Sequence, residues 1–167
     1  MRANYPKFSP SGEKILFVAH KRSITDLYLM DVDGENIEKL TSNTFDVQII
    51  TPCWSPNGDE IVFAESGSNG NLDLYTMLIE SGEKIQITNS SEGDYLPIWH
   101  PSGNKISFTG LYDYTPNLYT YDINTRKIIQ NTDVGDAVIG IQWNKKTSTI
   151  TAMTVSYTHL TLPTMEL

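Results

Sequence analysis

The sequence predicts an all-β fold of β-propeller blades, each of four antiparallel strands, forming an incomplete ring of about 3.5 blades. Three observations carry this. One phrase recurs: "PKFSPSGEKILFVAH" from Pro6, "PCWSPNGDEIVFAES" from Pro52 and "PIWHPSGNKISFTGL" from Pro97. The aromatic residues Phe8, Trp54, Trp99 and Trp143 stand 46, 45 and 44 residues apart, close to the length of one blade. Apolar residues alternate within short segments, and no 3.6-residue period outlasts a turn or two.

Each unit divides into four strands. In the first, "YPKFS" is an opening strand, ended by a reversal at Pro10 and Gly12. Proline presets φ there and glycine supplies the positive φ that a tight turn needs. "KILFVAH" is the second strand and "TDLYLMDV" the third, with Leu27 and Leu29 opposed to Tyr28 and Met30. Asp33-Gly34 marks the next hairpin. "NIEKLT" is the fourth strand, polar and therefore outermost. Pro56/Gly58 and Pro101/Gly103 repeat the first turn, Ile61/Phe63 and Ile106/Phe108 repeat Ile15/Phe17, and Leu74-Tyr75 and Leu118-Tyr119 repeat Leu27-Tyr28. Thr41, Thr88 and Thr132 close the units. The blades so read span about residues 4–41, 50–88 and 95–132, with a partial fourth at 139–155 that keeps Trp143 but loses the turn Pro and Gly. The propeller arc covers residues 1–155 and reads as a fragment of a longer propeller. Residues 156–167, "SYTHLTLPTMEL", fall where a Leu-Tyr third strand is due and lack the pair. They read as an atypical, non-native tail, or as a degenerate strand with Leu160 and Leu162 inward.

The second and third strands are apolar on both faces, so both faces must be covered. With no amphipathic helix to cover them, the neighbouring sheets must do so. An arc of blades also leaves an apolar face and a sheet edge open, so self-association through the blade edge is an expectation.

The chain has 167 residues and a formal net charge of −8, with Lys and Arg scattered. That excludes the basic stripe of a nucleic-acid binder. No apolar stretch approaches the roughly 20 residues needed to span a bilayer, so no membrane insertion is expected. The start shows no apolar signal-peptide core. The one cysteine, Cys53, reads as a free buried thiol on a strand.

The phrase "P-x-W-S-P-x-G-x-x-I-x-F" followed by Leu-Tyr resembles the TolB-like, WD-repeat-like propeller repeat over about Asn4 to Asp133. The aspartate frequent in that family three residues before the first proline stands here only as Asp94, with Ala3 and Ile49 in its column. The resemblance implies a non-catalytic scaffold that engages envelope proteins in the periplasm. Two other classes stay open: the propeller of a prolyl-oligopeptidase-type serine peptidase, and a propeller sugar lyase. Shared fold does not choose among them.

No catalytic residue and no cofactor is assigned. There is no G-x-S-x-G elbow; "GSNG" at Gly67 is a loop string. His20, His100 and His159 have no ligand spacing. His100 stands where other units have Ser9 and Ser55, so it is expected to make the same local turn bond. "DVDGEN" at Asp31 lacks the third acid and the distant glutamate of a calcium loop and reads as a hairpin. No metal site is assigned. The recurrent tryptophans read as packing between blades.

Residues that differ between units are free for a partner. In a propeller, the connection between strands two and three and the connection between blades open on one end. That end carries the candidate binding residues Lys21, Arg22, Phe45, Asp46, Asp94, Tyr95, Tyr112, Asp113 and Tyr114. Tyrosines beside acids suit a protein, peptide or sugar contact, and a protein or peptide partner is expected. An ordinary solvated loop face is the competing reading. Asp94 also fits a structural hydrogen bond to its own blade.

Overall fold

The computed structural model describes residues 2–155, except Phe45, Ser68, Asn69, Lys145, Thr147 and the side chain of Asp113. Four antiparallel sheets follow one another along the chain. The first is β1 (Arg2–Phe8), β2 (Lys14–Lys21), β3 (Ile24–Asp31) and β4 (Glu38–Lys39). The second is β5 (Ile49–Trp54), β6 (Glu60–Ser66), β7 (Leu72–Leu78) and β8 (Lys84–Gln86). The third is β9 (Asp94–Trp99), β10 (Lys105–Gly110), β11 (Asn117–Asp122) and β12 (Lys127–Gln130). The fourth pairs β13 (Ala137–Asn144) with β14 (Thr149–Val155). In each four-stranded sheet the spatial order is the chain order, and the outermost strands β4, β8 and β12 are exposed throughout. The only helical piece among the described residues is a 3-10 turn at Tyr112–Tyr114. No helix there is long and apolar enough to cross a membrane.

The turn chemistry works as the repeat suggests. Gly58 has φ +83 and its N–H donates to Ser55 O at 3.1 Å. Ser55 Oγ accepts from Glu60 N at 3.1 Å. His100 is held in its own turn, its Nδ1 accepting from Ser102 N at 3.0 Å, and its ring meets Trp143 edge-on at 4.4 Å. The Asp31 segment is a hairpin whose acid is engaged: Asp31 lies 2.6 Å from Lys14 Nζ and accepts from Asn36 Nδ2.

A second repeated device closes each blade. Thr41, Thr88 and Thr132 Oγ1 accept from Leu27, Leu74 and Leu118 N at 3.0, 2.9 and 2.9 Å. The residue before each leucine anchors the outgoing chain: Asp26, Asp73 and Asn117 accept from Asn43 N, Ser90 N and Val134 N at 2.8, 2.7 and 3.0 Å. A short polar side chain thus satisfies backbone donors where the ladder stops.

Pleating sends alternate residues to opposite faces, and in the second blade the neighbouring blades bury both. Leu16, Val18, Leu27 and Leu29 of the first blade pack with Ile49, Trp54, Ile61, Phe63 and Met77 of the second. Ala64 and Leu74, on the second blade's other face, pack with Phe108, Tyr119 and Tyr121 of the third. Trp54 Nε1 donates to Lys7 O across the first junction at 3.1 Å. Phe17 is also buried, its ring stacked on Tyr28 at 5.6 Å. Cys53 differs from expectation: it is half-buried rather than fully buried, because it borders the cavity at the inner strands.

The third junction is built differently. On the face of β10 opposite Phe108, the fully buried residues are Ser107 and Thr109, where β6 carries Val62 and Ala64. Most of β13 and β14 is exposed or half-buried. The β13–β14 amides are therefore expected to exchange at least tenfold faster than those of β6–β7, about 1.4 kcal/mol less local stability. Equal protection by hydrogen exchange would contradict that.

Candidate recognition face

The structure brings the two sets of connections together at one end. After β6, Ser66 N donates to Gln48 O at 2.9 Å and Gly67 N to Asn71 O at 2.8 Å. Asn71 Nδ2 donates to Ser91 O. After β10, Leu111 N donates to Gly93 O at 3.1 Å and Tyr114 N to Glu92 Oε2 at 3.2 Å. Pro116 O accepts from Val138 N at 2.8 Å. The second inter-blade segment is thus pinned by the turns of the blades on either side, and the first and third each by one such turn. Backbone donors that have left the ladders find partners in one another.

The candidate residues divide by exposure. Lys21 and Arg22 are exposed at the tip of the first blade's turn, where Arg22 has φ +51. Asp46 is exposed. Tyr114, at 86%, is the most exposed of the large apolar side chains described. Tyr95 and Tyr112 are half-buried, and burial raises the pKa of both phenols. Phe45 lies outside the described residues, and so does the side chain of Asp113, whose backbone is in the 3-10 turn.

Asp94 differs from the others. It is 0% exposed and offers a partner no surface. Its Oδ2 accepts from Tyr112 Oη of its own blade at 3.4 Å, and its Oδ1 makes no hydrogen bond among the described residues. Burial pushes its pKa up to about 6. The Thr88 and Tyr112 hydroxyls pull the other way, and the Asp73 carboxylate adds to the rise. Asp94 is a support beneath Tyr112. Composition hides this, because it depends on a contact 18 residues along the chain.

Sequence reading also passed over a feature of the inner strands. Tyr5, Thr51 and Leu96 have φ +55, +50 and +54, and the strand register shifts around each. Each precedes a proline. A proline inside a strand pattern signals a bulge, so Pro6, Pro52 and Pro97 were the available signal. These bulges, with Gly140 of the fourth blade, line an inner cavity of about 270 Å³.

Repeated four-stranded sheets, faces buried against the next sheet and a loop-built end define a β-propeller repeat protein. Residues 5–167 match the family model described as the TolB beta propeller domain, and the chain belongs to that family. It is 34% identical over 113 residues, 68% of its length and 25% of the relative's, to the protein TolB homolog of Chlorobaculum tepidum. It superposes on the crystal structure of TolB from Acinetobacter baumannii with a TM-score of 0.78 and 23% identity, covering 90% of this chain and 37% of that one. The tricorn protease shares the fold over 87% of this chain and 14% of its own, with a TM-score of 0.67 and 19% identity. The chain therefore spans about a quarter of the length of the TolB homolog it matches.

Proposed function

We propose that the chain is part of a non-catalytic, TolB-like scaffold of the cell envelope, and that it recognises a protein or peptide partner through the loop-built end. Residues 1–155 serve as an arc of a larger propeller. The observation that carries the reading is Tyr114: a ring 86% exposed on a turn whose backbone is fixed by Glu92 and Gly93. A tyrosine on a fixed backbone beside acids loses less entropy on binding than one on a free loop. Family membership supports the scaffold role, and the TolB relatives support a periplasmic setting.

The test uses the full-length protein and the envelope protein that co-purifies with it. Tyr114→Ala is expected to weaken that complex about thirtyfold, the roughly 2 kcal/mol of an interface hot spot. An exposed substitution at the opposite end, Glu80→Ala, should leave affinity unchanged. Equal affinities for both variants and the parent, by calorimetry, would remove this end as the contact surface. The fold shared with the tricorn protease supports a peptidase propeller less well, because at that identity it speaks for the fold alone.

A further inference from the structure

Asp94 is fully buried, yet Ala3 and Ile49 fill its column in the other blades, so the fold itself does not require a carboxylate there. Three consecutive residues hold the 3-10 turn: Glu92 through Tyr114 N, Gly93 through Leu111 N and Asp94 through Tyr112 Oη. Tyr112 lies across the carboxyl as a lid, its ring also packed on Tyr119 with centroids 4.6 Å apart. The pocket is closed tightly enough to need glycine opposite. A Cβ at Gly110 would stand 2.9 Å from Asp94 Oδ1 and 2.7 Å from the Tyr112 ring.

We propose that Asp94 and Tyr112 form a protonation-controlled latch, which seats the turn bearing Tyr114 when the carboxyl is neutral and loosens it when the carboxyl is ionised. An ionised Oδ1 needs a donor, and none of the described residues supplies one. A buried charge without partners costs several kcal/mol unless water reaches it, and the route for water is past Tyr112. The hydroxyls of Thr88 and of Tyr112, the latter 3.4 Å from Oδ2, offset that only in part, and neither bonds Oδ1. Among the described residues, the titratable groups facing the carboxyl give no cationic relief: Asp73 from β7 repels its charge, and Tyr112 comes from the turn itself. Glu65, on the neighbouring β6, is held by Lys84 at 2.7 Å, and Glu92 is spent on Tyr114 N. The rise of the Asp94 pKa to about 6 sets the switch in a range that a change of compartment or medium reaches.

The latch bears on the recognition reading by setting how Tyr114 is presented, but its test reads the turn and not binding. Hydrogen exchange of residues 111–114 in the full chain, corrected for the intrinsic pH dependence, should show protection falling at least tenfold between pH 5 and pH 7.5. In Asp94→Asn, and in Asp94→Ala, which restores the residue type of Ala3, protection should not change with pH. Thermal melts of both variants establish that they are folded. A pH-independent turn in the parent, or the same pH dependence in folded Asp94→Ala, overturns the latch. Either outcome leaves the recognition face to be judged by Tyr114→Ala.

Discussion

Phe63→Ala is expected to destabilise the chain by about 3–5 kcal/mol, the range for deleting a fully buried aromatic side chain. Phe63 is 0% exposed. It stands where Leu16, Val18, Leu27 and Leu29 of the first blade meet Ile61 and Met77 of its own, with its ring stacked on Tyr75 at 6.1 Å. Truncation removes the ring from both blades at once. Collapse to fill the space would require one sheet to move against the other while the Trp54 to Lys7 bond holds them in place. Phe8→Ala removes the same ring from a site 68% exposed and should change stability by no more than about 0.5 kcal/mol. Urea denaturation of the two variants gives the comparison. Similar midpoints would mean that burial between sheets is not what holds the blades together.

The second large effect depends on pH. The folded pKa of Asp94 is raised to about 6 against about 3.9 in an unfolded chain. Below pH 4 the carboxyl is neutral in both states and costs nothing. Between pH 4 and pH 6 the unfolded chain loses the proton and the folded chain keeps it, so folding weakens by about 1.4 kcal/mol per pH unit. Above pH 6 both states are ionised and the penalty levels off at about 3 kcal/mol. Asp94→Asn lacks this titration. The stability difference between Asp94→Asn and the parent should therefore grow in the variant's favour by about 3 kcal/mol from pH 4 to pH 7, whatever the amide costs at a fixed pH. Parallel stability curves would show that the carboxyl titrates normally and is not desolvated.

These two residues differ in how far the sequence announces them. Phe63 sits in a column with Phe17 and Phe108, two residues from an isoleucine in every unit, so its burial follows from period-2 alternation alone. Asp94 appeared as one acid among several in an acidic loop. A hydrogen bond to its own blade was one of the two readings open to it, but its complete burial beneath Tyr112 was not legible. The left-handed backbone at Tyr5, Thr51 and Leu96 was signalled by the prolines that follow, and only the strand pairing turned that signal into a bulge.

The sequence by itself determined the strands, their turns, the repeat and the need for both sheet faces to be covered. Those follow from φ restrictions and alternation, which act over a few residues. The tertiary structure decided which face meets which, how the loops interlock and which acid loses its water. Those rest on contacts such as Trp54 with Lys7 and Tyr112 with Asp94, 47 and 18 residues apart. Local pattern carries no record of such separations, because desolvation depends on everything that closes around a group.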